Sequence, residues 1–170
     1  MLQEFFRASP DGGGHIDTPI SPTPSTVRES VDLRQSLRLM AQAHGPSLQR
    51  LGIRLELSLP DEPLRVFAAP ADLLNLLGHI VGMAGGALPG GYALQVLARV
   101  DGQQAVINWR DIGDEAPRLA LAFENVGRPI SARALTCQAI AARYGARIYA
   151  APSPLGDRSL TLRFPLHGRP

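Results

Sequence analysis

Residues 31–168 predict an α/β (α+β) sandwich, a mixed and mainly antiparallel sheet with helices on one face. Three observations predict it. Apolar periodicity switches between 3.6 and 2 along the chain, giving the order helix, strand, strand, helix, hairpin, helix, hairpin. Strands follow both helices and tight turns, which requires a mixed sheet. Proline and glycine stand where such elements begin and end.

The elements follow in order. Leu33, Leu37, Met40 and Leu48 form a helical stripe ending near Leu51, with Asp32 as its cap and Gly45-Pro46 inside it. "IRLELSL", residues 53–59, alternates and reads as a strand. Pro60 to Pro63 turn the chain into a short strand, "RVFA". Pro70 opens an apolar helix, "ADLLNLLGHIVGMAGGAL". "YALQVLARV" and "QQAVINWR" flank Asp101-Gly102, a strong hairpin signal. Residues 111 to about 130 read as a less regular stretch. "SARALTCQAIAARY" is a helix closed by Gly145, and "RIYAA" and "SLTLRFPL" make a last hairpin. Ahead of this domain, residues 1–30 read as a helix end, with Leu2, Phe5 and Phe6 at helical spacing, then a Pro/Gly-rich linker.

Composition excludes several classes. The formal net charge is +2, too small to argue for nucleic acid. All 17 basic residues are arginine, so Schiff-base chemistry and a phosphate-loop lysine are excluded. The one cysteine, Cys137, excludes an internal disulfide and a cysteine metal cluster. No apolar signal-peptide core and no run long enough to span a membrane is present, so a cytoplasmic protein, or the soluble end of a larger one, is expected.

"GHIVGMAGGALPGG", residues 78–91, raises the question of a phosphate loop. It is the second half and exit of a helix rather than a strand-to-helix turn, and no lysine follows. Glycine within a helix costs about 1 kcal/mol relative to alanine. Close packing or a ligand must offset that cost.

In context, "AAPADLLNLLGHIVGMAGGALPGG" resembles the asparagine-box helix of the GHKL superfamily in its histidine-kinase branch. "AVINWRDIGDEAP" resembles the Asp-x-Gly-x-Gly motif of that family. "VDLRQSLRLMAQAHGPSLQRLGIRLELSLPDEP" resembles its opening helix and strands, and "LTCQAIAARYGARIYAAPSPLGDRSLTLRFPL" its closing helix and hairpin. "LQEFFRAS" resembles the end of the helical hairpin that precedes such a domain. The resemblance implies a Bergerat-type ATPase fold, ATP and Mg²⁺ as ligands, and two-component phosphorelay signalling. If active, the implied activity is that of a protein-histidine kinase. A response regulator or a partner histidine kinase is the implied partner, and an upstream helical hairpin the implied route to a homodimer.

The implied ligand residues are largely replaced. With Pro70 and Ala84 fixing the register, the family's first asparagine falls on His79 and its second on Met83. A register starting at Asn75 would displace the Gly-Gly exit by a full turn. Methionine is a poor ligand for Mg²⁺, which wants hard oxygens. Asp111 and Gly113 match the first glycine motif, where the family's aspartate accepts the adenine amino group; Glu115 replaces its second glycine. Asp111 also suits a turn of Asp-x-Gly type. Ser131-Ala132-Arg133-Ala134 stands where Gly-x-Gly-Leu is expected. The nucleotide lid is short, with "AFENVGRP" as its remnant and Phe123 as an anchor. Arg128 and Arg133 are candidate phosphate contacts, though solvated arginines explain them as well. No phosphoacceptor helix is legible around His15, His44 or His167. The expected function is therefore an ATP-binding-type domain with weakened or lost nucleotide binding. The alternative is an ATP-independent, histidine-phosphotransferase-like or pseudokinase docking module.

Overall fold

The structure is a computed structural model and describes residues 27–125, 127–152 and 157–168. β1 (Glu29–Asp32) leads into α1 (Leu33–Arg50), β2 (Arg54–Ser58) and β3 (Arg65–Ala68). α2 (Pro70–Ala87) follows, then the hairpin β4 (Ala93–Asp101) and β5 (Gln104–Ile112). α3 (Leu119–Glu124), α4 (Ala132–Arg143), β6 (Arg147–Pro152) and β7 (Arg158–Pro165) complete the chain.

Five strands form one sheet in the order β2-β4-β5-β7-β6. β2 runs parallel to β4, and the other three pairs are antiparallel. The sandwich follows from the pleat. Leu94, Val96 and Ala98 of β4, Ala105, Ile107 and Trp109 of β5, and Leu160, Leu162 and Phe164 of β7 are all buried, every second residue along each strand. They share one hydrophobic core with Leu33, Leu37 and Met40 of α1, Leu73, Leu76, Leu77 and Ile80 of α2, and Cys137 and Ile140 of α4. The alternate residues carry polar groups that bond along the other face. Arg99 donates to Asn108 Oδ1 (2.5 Å), Asn108 to Thr161 Oγ1 (3.0 Å), and Arg163 to Tyr149 Oη (2.9 Å). That face needs no helices to cover it.

Local chemistry sets the ends. The Asp32 carboxylate accepts from the amide of Arg34 at 3.1 Å and caps α1, which then runs unbroken through Pro46. Pro70 starts α2 without a side-chain cap. Ser131 Oγ accepts from the Ala134 amide at 3.2 Å and caps α4, and Gly145 follows at φ +66°. Gly102, at φ +59°, makes the β4–β5 turn possible.

Two features correct the reading of the sequence. Glu29 and Ser30, assigned to the linker, are strand residues. β1 pairs antiparallel with β3 in a separate two-stranded sheet, with Val31 opposite Val66. The stretch 111–130 is not wholly irregular, because Leu119–Glu124 form α3, with Leu119, Ala120 and Phe123 buried. The helix-end reading of residues 1–9 lies outside the described residues. No helix among the described residues is long and apolar enough to cross a membrane.

Candidate functional site

The residues singled out in the sequence lie on two adjoining pieces of the molecule, α2 and the chain leaving β5. His79 and Met83 are one turn apart on α2. His79 is half-buried, whereas Met83 is only 8% exposed and belongs to the core. Between them, Gly82 faces the start of α4. A Cβ there would collide with the end of the Arg133 guanidinium, so the missing side chain is what lets Arg133 lie against α2. Arg133 makes no hydrogen bond or ion pair with the described residues.

A hollow of about 530 Å³ opens between α2 and the start of α4, lined by Gly82, Met83, Gly86, Ala122, Ser131 and Arg133 among others. A second, of about 420 Å³, lies on the other side of Arg133 and holds His44, Asn75, His79 and Gly82. Asp111 and Gly113 line neither. The structure thus sets Met83 and His79 in two separate hollows that share Gly82 and Arg133, and leaves Asp111 and Gly113 apart from both. His44, whose imidazole packs over Gly78 with Nε2 3.3 Å from where a Cβ would stand, joins His79 in the second hollow. Nothing in the sequence signalled that meeting, because it depends on how α1 crosses α2.

Asp111 ends up 4% exposed at the end of β5. Its two carboxylate oxygens accept from the amides of Arg118 (2.7 Å) and Leu119 (3.3 Å). Those are the first amides of α3, which has no cap of its own. Asp111 therefore serves as a helix cap from a distance, and its negative charge meets the positive end of the helix. Gly113 is equally committed. A Cβ on it would stand within 2.5 Å of three atoms of the Tyr92 ring, which occupies the space beside the Gly113 backbone. Tyr92 is 8% exposed, and its hydroxyl accepts from the Glu115 amide at 2.7 Å. The guanidinium of Arg118 lies 6.0 Å from the centre of the Tyr92 ring and pairs with the Glu115 carboxylate. Tyr92 is the residue that sequence reasoning missed. It follows the Gly90-Gly91 exit and carries no motif.

The donor set is a poor match for a magnesium–nucleotide. Mg²⁺ requires several oxygens in a near-octahedral array. Met83 offers a buried thioether and His79 an imidazole, and the described residues include no cluster of three His, Cys, Asp or Glu side chains suited to a metal. Cys137 is no nucleophile in this setting: burial raises its thiol to about 11, only partly offset by the charge of Arg133.

The comparisons bear on this geometry. No family model matches the sequence, and no curated protein does. Among solved structures, the catalytic domain of histidine kinase ThkA superposes with a TM-score of 0.68, over 82% of this chain and 97% of that domain, at 14% identity. This chain has the fold of a histidine kinase catalytic domain. The Acinetobacter baumannii histidine kinase AdeS matches with a TM-score of 0.63 over 83% of this chain and 68% of its own, at 17% identity. A histidine kinase from Burkholderia phymatum matches at 21% identity, with a TM-score of 0.61 over 83% of this chain and 72% of that one. ThkA also matches in its complex with the response regulator TrrA, where this chain spans 42% of the ThkA chain.

Proposed function

We propose that this chain is a histidine-kinase-type domain of two-component phosphorelay signalling that has lost nucleotide binding and serves to dock a response regulator or a partner kinase. The observation that carries this reading is the internal use of Asp111 and Gly113. The carboxylate that would accept from adenine caps α3 instead, and the space beside the glycine holds the Tyr92 ring. A nucleotide would meet a carboxylate already accepting two amides and a tyrosine ring packed beside the glycine. The replacement of two metal-binding asparagines by His79 and Met83 acts in the same direction. The known complex of a fold neighbour, ThkA, with a response regulator supports the docking role.

One observation favours residual nucleotide binding: the hollow between α2 and α4, with Arg133 at its rim. A thermal-shift titration with ATP and Mg²⁺ decides between the two. Binding raises stability by RT ln(1 + [L]/Kd), about 2.7 kcal/mol at one hundred times Kd. For a domain of this size that is roughly 5–10 °C. The expected result is no shift at millimolar nucleotide. A saturable shift would return the chain to the ATP-dependent kinases.

A further inference from the structure

β2 is an end strand of the five-stranded sheet, and among the described residues β4 is its one partner. The Arg54 amide donates to the Tyr92 carbonyl at 3.0 Å, so Arg54, Glu56 and Ser58 turn their backbone groups toward β4. In a parallel ladder the residues between them turn theirs the other way. The amides and carbonyls of Leu55 and Leu57 therefore face outward, and no described backbone group pairs with them. The amide of Ile53 is already bonded to the Leu48 carbonyl at 2.9 Å, while its own carbonyl also faces outward.

Beside this edge runs a hollow of about 600 Å³ between β2 and α1. Ala41, Gly45, Pro46 and Gln49 line its helix side, and half-buried Leu55 and Leu57 its strand side. A Cβ added to Gly45 would meet nothing within 4 Å. Gly45 and Pro46 in the middle of a helix weaken it. Protein sheets blunt exposed edges with proline, bulges or lysine. The opposite end strand, β6, ends in Pro152. β2 holds no proline, and its two charged residues, Arg54 and Glu56, are of opposite sign.

We propose that a second copy of this chain pairs with the β2 edge, antiparallel, joining the two sheets into one. Charge selects the register. Exposed Arg54 and half-buried Glu56 stand on the open face, 2.9 Å from each other, and Glu56 also accepts from Gln95 at 2.8 Å. Centring the pair on Leu55 places Arg54 opposite Glu56 of the partner, and Glu56 opposite Arg54 of the partner. These are non-hydrogen-bonded positions, where cross-strand side chains approach most closely. Leu55 then exchanges two hydrogen bonds with Leu55 of the partner, and each Leu57 amide donates to the Ile53 carbonyl across the axis. Centring on Glu56 instead would set two carboxylates face to face, which is unfavourable. Below the strands, the small residues of α1 leave room for α1 of the partner.

Sedimentation equilibrium on the full chain tests this. The mass should rise from one chain to two with concentration. Arg54→Glu turns two attractive cross-strand pairs into repulsive ones and should weaken association about tenfold or more. The double change Arg54→Glu with Glu56→Arg restores opposite charges at every cross-strand position and should recover it. Leu55→Pro removes the outward amide, which an edge strand tolerates, together with a half-buried side chain packed on the core, and should leave a folded monomer of lower melting temperature. Circular dichroism and a melting curve establish that each variant is folded. A monomer up to about 1 mM, where even weak specific pairs associate, overturns the proposal. So does a dimer indifferent to Arg54→Glu, or a loss that the double change does not reverse.

Discussion

Among the described residues Asp111 has two hydrogen-bond partners, the amides of Arg118 and Leu119. This makes its role separable from ligand binding. Asp111→Asn keeps one acceptor oxygen but turns an amide group toward a backbone amide. Losing one charge-assisted bond at a 4% exposed site should destabilise the domain by about 2 kcal/mol with no nucleotide present. Urea unfolding followed by Trp109, the single and fully buried tryptophan, measures it. An unchanged midpoint would free Asp111 for a ligand. Gly113→Ala should cost about 1–3 kcal/mol, because the ring of Tyr92 must leave its seat. The companion change Tyr92→Ala removes the clash, so adding Gly113→Ala to that background should cost far less. A double-mutant cycle reads the coupling. For Cys137, a thiol raised by burial to about 11 predicts no reaction with a disulfide reagent in native buffer and full reaction in denaturant.

At the scale of elements, α1 rests on Asp32. Burial alone would raise the Asp32 carboxyl. Hydrogen bonds from the Arg34 guanidinium and from the amides of Arg34 and Leu64, with the Arg34 charge, outweigh it and hold the group below its ordinary value. A depressed carboxyl stabilises the fold fully above the unfolded value, about 3.9. That contribution disappears as pH falls through the lower folded value. Asp32→Ala should therefore cost about 1–2 kcal/mol at pH 7 and much less near pH 2, as urea midpoints across that range would report. α1 was legible because its cap and its stripe are both local. The β4–β5 hairpin was legible because Asp101-Gly102 sits between two alternating runs. β1 and α3 were not, for physical reasons. β1 is four residues whose order comes from pairing with β3, more than thirty residues on. α3 is six residues capped from outside by Asp111 on β5. Neither carries its cause in its own sequence.

Over the whole molecule, the layered fold was legible in the alternation of the strands and the stripes of the helices. The site was legible only as a set of positions. Motif spacing located His79, Met83, Asp111 and Gly113, but not what each of them touches. Tyr92 and Arg133 decide that, by filling the space beside one glycine and the face of another, and such contacts arise only once β4 lies beside β5 and α4 beside α2. The central claim is that Asp111 and Gly113, where the resemblance puts nucleotide contacts, are held by the chain itself. It is tested most directly by following the amide signals of Gly113, Arg118 and Leu119 in nuclear magnetic resonance spectra during titration with ATP and Mg²⁺. The account predicts that these signals stay in place at millimolar nucleotide. Saturating shifts at Arg118 and Leu119, abolished by Asp111→Asn in a folded variant, would contradict it.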